Sequence, residues 1–191
     1  LNLDKSKIYI ALLPGSRDSE IRNHINDLLS LVKHYQNYNP KLKFILTLTK
    51  NSKKYFFEEK LKELNNLIIC YDDSKTVLSA CDFSIISSGT ATLEGALCKT
   101  PMVVIYKTNF LSYFVLSKLI YSKYISLPNI LSEKKIVNEL LQTQVNLNNL
   151  IHELDTLMKD DLGEMKKNFE ILHNSLINDN ESKFFSVIKS L

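Results

Sequence analysis

Two short segments of the sequence carry residue types that suit a phosphate ligand. The first is Pro14-Gly15-Ser16-Arg17, which follows an apolar run. Gly15 lets the backbone come close to a ligand, Ser16 offers a hydroxyl, and the Arg17 guanidinium presents a planar fork of donors that matches phosphate oxygens. The segment predicts a phosphate-binding turn, although a plain strand-to-helix turn capped by Ser16 or Ser19 would explain the same residues.

The second segment reads SSGTATLE over residues 87–94. Small and hydroxylated residues at the start of a helix leave backbone N–H groups free, and the helix dipole favours an anion there. Glu94 does not have the capping-box spacing from Thr90, so its carboxylate could instead accept hydrogen bonds from paired hydroxyls such as a ribose diol. A capped helix with an exposed glutamate is the competing interpretation.

Other chemistries find little support in the residue pattern. Neither segment is a G-x-G-x-x-G fingerprint or a P-loop, which argues against a nicotinamide dehydrogenase and an ATPase. The three cysteines lack C-x-x-C spacing and fall in or beside apolar stretches, which predicts buried thiols in a reducing compartment. No metal site and no cofactor are expected. The histidines have no ligand spacing and are expected at surface or boundary positions of helices: His24, His34, His152 and His173.

Short apolar runs alternate with amphipathic stretches, which is the pattern of β-α-β units. The fold class predicted is α/β, with a doubly wound, mostly parallel, Rossmann-like sheet and added C-terminal helices. In such sheets ligands bind at the carboxyl ends of strands, where both phosphate-type segments fall. The predicted strands are residues 7–13, 43–49, 67–71, 83–87 and 101–106, and the predicted helices between them are 19–38, 53–64, 74–81 and 90 to about 98.

The rhythm changes after Lys107. Residues 110–124 combine aromatic and aliphatic side chains with lysines, which fits either core packing or an interfacial patch against a membrane surface. The sequence beyond Asn129 is predicted to be helical to Leu191. We place a boundary between a Rossmann-like domain, residues 1–145, and C-terminal helices, residues 146–191, that pack on it or on a further domain.

Composition limits the partners. The net charge is +3 with a pI near 8.6, which gives no case for nucleic acid. No apolar run approaches the roughly 18 to 20 residues that span a bilayer. We expect a soluble cytoplasmic protein. Two questions stay open: whether it lies peripherally on the cytoplasmic face of the inner membrane, and whether it forms a homo-oligomer.

Several segments, in their order and spacing, resemble the lipid-A-disaccharide synthase family across essentially the whole chain. They are LLPGSRDSEI at 12–21, SSGTATLE at 87–94, TPMVVIYK at 100–107, YISLPNIL at 124–131 and ELLQ at 139–142. The resemblance implies an inverting, metal-independent hexosyltransferase of the GT-B type. Such an enzyme transfers a diacyl-glucosamine from its UDP-linked donor to a lipid-linked glucosamine phosphate, forms the lipid A disaccharide and releases UDP.

The resemblance also implies roles for individual residues in one half of a GT-B fold. The diphosphate would be bound by Gly15, Ser16 and Arg17. Backbone and hydroxyl donors to the phosphates would come from Ser88, Gly89 and Thr90. Glu94 would hold the ribose hydroxyls. Further residues near the cleft would be Pro128, Asn129 and Gln142.

The sequence departs from the family pattern at two places. Ser132-Glu133-Lys134 stands where Ala-Gly-Arg is usual, so a phosphate-binding arginine would become Lys134, which lacks bidentate geometry. Asn138 replaces a proline at what is predicted to be a helix start. The acceptor site and general base are expected in an amino-terminal half outside these residues, so no general base is predicted here. Two alternatives stay open: a stand-alone UDP-binding module and another GT-B enzyme such as a UDP-sugar epimerase.

Overall fold

A parallel sheet forms the centre of the protein. The structure is a computed structural model that describes residues 3–49, 61–71, 73–108 and 123–178. The strands in these ranges are β1 Ile8–Leu13, β2 Leu42–Thr47, β3 Leu67–Cys70, β4 Phe83–Ser87, β5 Met102–Tyr106 and β6 Asn138–Leu141.

The strand order β3-β2-β1-β4-β5-β6 reverses direction between β1 and β4. All neighbouring pairs are parallel, and Leu13 at the end of β1 lies beside Ile86 near the end of β4. The crossover helices after β1 and β4 therefore lie on opposite faces, and a crevice opens between the carboxyl ends of these two strands. In doubly wound sheets this switch point is where ligands bind.

Six helices flank the sheet in the described ranges. They are α1 Asp18–Tyr38, α2 Ser74–Ala80, α3 Thr90–Leu97, α4 Leu127–Leu131, α5 Leu147–Lys159 and α6 Gly163–Asn178. A short 3₁₀ turn, Gln142–Gln144, follows β6.

Helices cover both faces of the sheet. On one face Ile10 and Leu12 of β1 share a core with residues of α1 and α5, including Leu150. On the other face Ala11 and Leu13 share a core with residues of α2, α3 and α6, including Phe169. Because both faces are covered, the strands are nearly continuous apolar runs. The α/β, doubly wound, parallel prediction is confirmed.

The prediction of helix from Asn129 to Leu191 is wrong at β6. Asn138–Leu141 forms the sixth strand, pairing Val103 with Asn138 and Tyr106 with Leu141. The Glu-Leu-Leu-Gln segment is therefore a strand and the turn after it, and Asn138 opens a strand rather than a helix. The segment has only four residues, and pairing with β5 outweighs its weak local signal.

Within residues 146–178, α5 and α6 pack on the sheet through side chains such as Leu154 and Leu172. The remainder of the predicted C-terminal helical sequence, residues 179–191, lies outside the described residues. The domain boundary at residue 146 stays a prediction. Most of the predicted helix 53–64 and of the apolar segment 110–124 lies outside the described residues. None of the described helices combines the length and hydrophobicity that a bilayer span requires.

Candidate functional site

A cavity of about 570 Å³ opens at the switch point. Both phosphate-type segments lie on its wall, one after β1 and the other after β4. The described residues that line it are Leu13, Gly15, Ser16, Arg17, Glu20, Thr47, Leu48, Thr49, Tyr71, Asp73, Ser74, Ser87, Ser88, Gly89, Thr90 and Ala91. The sequence prediction that these two segments meet at one edge of the sheet therefore agrees with the geometry.

The turn after β1 is organised by Glu20, a residue for which no functional role was predicted. Its carboxylate accepts hydrogen bonds from the backbone N–H groups of Ser16, at 2.9 Å, and Arg17, at 3.3 Å. The Arg17 guanidinium also donates to Glu20, with 3.3 Å between Nη1 and Oε1. Arg17 is the N-cap residue of α1, so the predicted cap at Ser16 or Ser19 is wrong: Glu20 reaches back to the helix start instead.

Gly15 is required in this turn for its backbone conformation and for contact with Glu20, whereas the sequence pattern suggested close approach to a ligand. Gly15 has φ +118°, a backbone conformation that favours glycine. A Cβ at Gly15 would lie 2.5 Å from the Glu20 Cβ and 2.5 Å from its Oε2. The space that a side chain would fill is therefore taken by Glu20 rather than left for a ligand.

The turn after β4 presents free donors at the start of α3. The N–H groups of Gly89, Thr90 and Ala91 have no hydrogen-bond partner among the described residues. Gly89 has φ +155°, and a Cβ there would meet nothing within 4 Å. Together with the positive end of the α3 dipole, these groups form a cradle suited to an anion.

Ser88 does not contribute the donors that were predicted for it. Its N–H donates to the Ile105 carbonyl at 2.9 Å, and its hydroxyl donates to the Ile125 carbonyl at 2.7 Å. Both donors are engaged within the protein. Ser88 therefore fixes the turn to β5 and to the segment before α4, and the donors available to a ligand come from Gly89, Thr90 and Ala91.

Glu94 lies behind the cavity wall on the second turn of α3. Its carboxylate accepts a hydrogen bond from the hydroxyl of Ser74, which begins α2 and lines the cavity. Ser74 follows Asp73, whose side chain caps α2 by accepting from the Thr76 N–H. A cavity-lining hydroxyl thus positions the Glu94 carboxylate, on the side of the cavity reached by β3.

Four predicted site residues are absent from the described cavity lining: Glu94, Pro128, Asn129 and Gln142. Pro128 and Asn129 are buried in α4. Gln142 has φ +50° after β6, and its side-chain oxygen accepts from the Thr108 N–H at 3.3 Å. Lys134, which stands in place of a family arginine, donates to Asn168 of α6 at 2.7 Å.

Asn129 instead joins α4 to the start of β6. Its Oδ1 accepts from the backbone N–H groups of Ile136, at 2.7 Å, and Val137, at 2.9 Å. Its Nδ2 donates to the Val137 carbonyl at 2.9 Å and to Glu139 at 2.8 Å. Glu139 also accepts from the N–H and hydroxyl of Ser126. This network fixes the segment at Ile125 and Ser126, and the Ile125 carbonyl accepts from the Ser88 hydroxyl. Asn129 therefore acts on the site indirectly, by holding that segment in place.

His24 is buried, with 1% of its surface exposed, which corrects the predicted surface or boundary position. Its Nδ1 lies 2.9 Å from the Pro14 carbonyl, and its Nε2 lies 3.0 Å from the Lys107 N–H. A neutral ring satisfies both contacts if Nδ1 carries the proton, because Nδ1 then donates and Nε2 accepts. His24 therefore ties the turn before Arg17 to the end of β5, where the Lys107 ammonium also pairs with Asp27 at 2.9 Å.

The neutral state of His24 predicts a pH dependence of stability. Burial lowers the pKa of His24 below its ordinary 6.5, against smaller opposing effects from Pro14 and Glu20. The unfolded chain therefore takes up this proton before the folded protein does. The stability that neutral His24 contributes is complete above pH 6.5 and is lost as the pH falls from 6.5 through the lowered folded-state pKa.

The measurement is the free energy of unfolding in urea on either side of pH 6.5. We expect His24→Gln to lose less stability on acidification than the unmodified chain. His152→Gln, at an exposed histidine of α5, is the matched control. Its free energy of unfolding should fall on acidification by as much as that of the unmodified chain. If the unmodified chain and His24→Gln lose the same free energy of unfolding on acidification, His24 is not the source of the pH dependence.

Sequence reasoning missed the contributions of the neighbouring strands. Thr47 ends β2 and Thr49 follows it, and Tyr71, Asp73 and Ser74 follow β3. The Thr47 hydroxyl is buried and has no hydrogen-bond partner in the described part of the chain. The signal that could have found these residues is their position at strand carboxyl ends, which was used only for β1 and β4.

The cysteines and acidic residues give no sign of other chemistry. Cys70, Cys81 and Cys98 form no disulfide; Cys70 is buried and the others are half-buried. Burial is the main cause that raises the pKa of the Cys81 thiol to about 12, so this thiol stays protonated at neutral pH. Within the described ranges, no three metal-ligating side chains cluster.

Comparisons with known proteins identify one family. A family model described as lipid-A-disaccharide synthetase matches residues 1–186. The lipid-A-disaccharide synthase of Actinobacillus pleuropneumoniae serotype 7 is 36% identical over 182 residues, a match that covers 91% of this chain and 46% of that protein. The chain thus spans about half the length of the curated relatives it matches.

Solved glycosyltransferases share the fold. An α,α-trehalose 6-phosphate synthase from Burkholderia multivorans superposes with a TM-score of 0.62 at 7% identity, covering 97% of this chain and 42% of that one. WaaG, a glycosyltransferase involved in lipopolysaccharide biosynthesis, gives 0.59 at 10% identity, covering 93% of this chain and 44% of that one. These likenesses identify the fold as one half of a GT-B glycosyltransferase. With the family model matching nearly its whole length, the chain belongs to the lipid-A-disaccharide synthetase family.

Proposed function

We propose that this chain is the nucleotide-sugar-binding part of a hexosyltransferase of lipid A biosynthesis. The enzyme would transfer a diacyl-glucosamine from its UDP-linked donor to a lipid-linked glucosamine phosphate and release UDP. The observation that carries the proposal is the switch-point cavity, which is lined both by Arg17 and by the residues whose N–H groups are free at the start of α3. Membership of the lipid-A-disaccharide synthetase family supports the choice of donor and acceptor.

In this proposal the chain supplies electrostatic stabilisation. Negative charge accumulates on the UDP phosphates as the bond to the sugar breaks. Arg17 and the N–H groups of Gly89, Thr90 and Ala91 are donors for that charge, so the departure of UDP would need no metal ion. The acceptor site and the general base are assigned to the half of the relatives' length that this chain does not match.

We further propose that the whole enzyme works as a peripheral protein on the cytoplasmic face of the inner membrane. Both substrates carry acyl chains, and an enzyme that meets them needs access to a lipid surface. The aromatic and lysine-rich residues 110–124 are the part of the sequence best suited to that contact.

With UDP in the switch-point cavity, as proposed, Glu94 is assigned to the ribose hydroxyls. Glu94→Ala should weaken UDP binding by on the order of 1.5 to 3 kcal/mol, because a carboxylate that accepts ribose hydroxyls makes charge-assisted bonds. The unmodified chain should prefer UDP to 2′-deoxy-UDP, and the variant should lose that preference. Calorimetric titration with both nucleotides measures the two effects.

A matched control comes from Glu170 of α6, which is largely exposed and pairs with Lys99, whereas Glu94 contacts the cavity-lining Ser74. Glu170→Ala should bind both nucleotides as the unmodified chain does. If Glu94→Ala is folded and keeps the full preference for UDP over 2′-deoxy-UDP, the ribose assignment is wrong.

A further inference from the structure

The Arg17 side of the cavity already holds an anion from the protein itself. The Glu20 carboxylate accepts from two backbone N–H groups, those of Ser16 and Arg17, and from the Arg17 guanidinium. Three donors directed at one pair of oxygens is the arrangement that a phosphate group would require. Glu20 therefore engages the donors on this side of the cavity that the proposed function gives to the diphosphate.

The turn is built around this carboxylate. Gly15 has no side chain where the Cβ and Oε2 of Glu20 lie, so Glu20 packs directly over the turn. The Glu20 side chain is 29% exposed and lines the cavity, whereas the Arg17 side chain is 81% exposed. An arginine so exposed can swing to a ligand at small cost in packing, because water replaces the contacts that it leaves.

The two sides of the cavity differ in this respect. On the α3 side the N–H groups of Gly89, Thr90 and Ala91 have no partner in the described ranges. On the Arg17 side, Glu20 already accepts from the backbone N–H groups of Ser16 and Arg17 and from one nitrogen of the Arg17 guanidinium. A diphosphate can bind the first side directly, but on the second side it must replace a carboxylate of the same charge sign.

We propose that Glu20 is an exchangeable internal anion that competes with the diphosphate for Arg17 and the adjacent N–H groups. It keeps Arg17 positioned when no nucleotide is bound, and it lowers the affinity for UDP, which favours release of this product after transfer. The proposal rests on the proposed function, because it takes the Arg17 side as the diphosphate site.

Glu20→Gln tests the proposal. Glutamine keeps the shape of the side chain and an oxygen that can accept from the Ser16 N–H, but it removes the negative charge. We expect UDP to bind about fivefold more tightly to Glu20→Gln, since a neutral acceptor holds the Arg17 donors less strongly than a carboxylate does. Uridine, which has no phosphate, should bind equally to both chains.

Glu63→Gln is the matched control, because Glu63 forms an exposed ion pair with Lys33 and lies outside the cavity lining. It removes the same charge and should leave UDP binding unchanged. Circular dichroism and thermal unfolding establish that each variant is folded. Unchanged or weaker UDP binding by folded Glu20→Gln, or an equal gain with Glu63→Gln, would overturn the proposal.

Pyrophosphate separates this proposal from the proposed function. If the unmodified chain fails to bind UDP, the proposed function is wrong, and the role of Glu20 is then decided by pyrophosphate alone. Tighter binding of pyrophosphate by Glu20→Gln than by the unmodified chain supports competition for the Arg17 donors. No gain in pyrophosphate binding overturns it. If Glu20→Gln does not fold, Glu20→Asp, which keeps the charge but shortens the reach to the turn, should also bind UDP more tightly.

Discussion

Replacing Asn129 by leucine is expected to lower the free energy of unfolding by about 4 kcal/mol. Leucine has nearly the same shape, but it leaves the N–H groups of Ile136 and Val137 without their acceptor. It also removes the donor to Glu139, whose carboxylate accepts from the Ser126 N–H and so holds the segment before α4 in place. Each unsatisfied buried group costs about 1 to 3 kcal/mol, and Asn129 is fully buried, so water cannot replace the lost bonds.

Urea unfolding, followed by circular dichroism, measures this loss. The matched control is Asn148→Leu, at an exposed position in the first turn of α5, where a change within about 0.5 kcal/mol is expected. A loss below about 1 kcal/mol for Asn129→Leu would mean that the network around Glu139 is not what holds α4 against β6.

Replacing Arg17 by alanine is expected to weaken UDP binding about 10- to 100-fold, which corresponds to about 1.5 to 3 kcal/mol for a charge-assisted contact. Arg17 lines the cavity at the start of α1, and it is the one lysine or arginine among the described lining residues. Arg17→Lys should recover only part of the affinity, because an ammonium keeps the charge but cannot form two parallel bonds to phosphate. Calorimetric titration with UDP gives both values.

Arg22 offers a close control for this experiment. It is the only other arginine of the chain, it lies on the same helix, and it does not line the cavity. Arg22→Ala should bind UDP as the unmodified chain does. Equal effects of the two substitutions would indicate a general effect of net charge, and no effect of Arg17→Ala would remove Arg17 from the site.

The sheet could be predicted where the strands are long and buried on both faces. β1 is a continuous apolar run, and β4 has an apolar centre and is buried along most of its length although it includes two serines. Both strands end at glycine-containing turns, so local pattern and tertiary burial agree. β6 was missed because four residues, two of them polar, carry too weak a local signal, and its pairing with β5 is a long-range contact.

The candidate site was predictable in its position but not in its hydrogen bonds. A parallel sheet brings the ends of β1 and β4 together, so the turns at Gly15 and Gly89 could be placed on one cavity. The engagement of the Ser88 hydroxyl by Ile125 depends on a contact 37 positions along the chain, which no local pattern encodes. The role of Glu20 was hidden because arginine is an unusual N-cap residue, and the capping box was sought elsewhere.

Buried polar residues were the least predictable part. His24 was expected at a surface or boundary position because it falls on a predicted helix without ligand spacing, and Asn129 was expected near the cleft because the family resemblance implies it. Each is instead satisfied by backbone groups of distant segments, those at Pro14 and Lys107 for His24 and those at Ile136 and Val137 for Asn129. Such residues act on the site by fixing the loops that form it.

The most direct test of the central claim is calorimetric titration of the folded chain with UDP, using ADP and NAD as controls. Circular dichroism first establishes that the chain is folded under the conditions of the titration. We predict saturable binding of UDP and no comparable binding of ADP or NAD, because the switch-point cavity is assigned to a uridine nucleotide. A folded chain that does not bind UDP, or that binds ADP as well as UDP, would contradict this assignment.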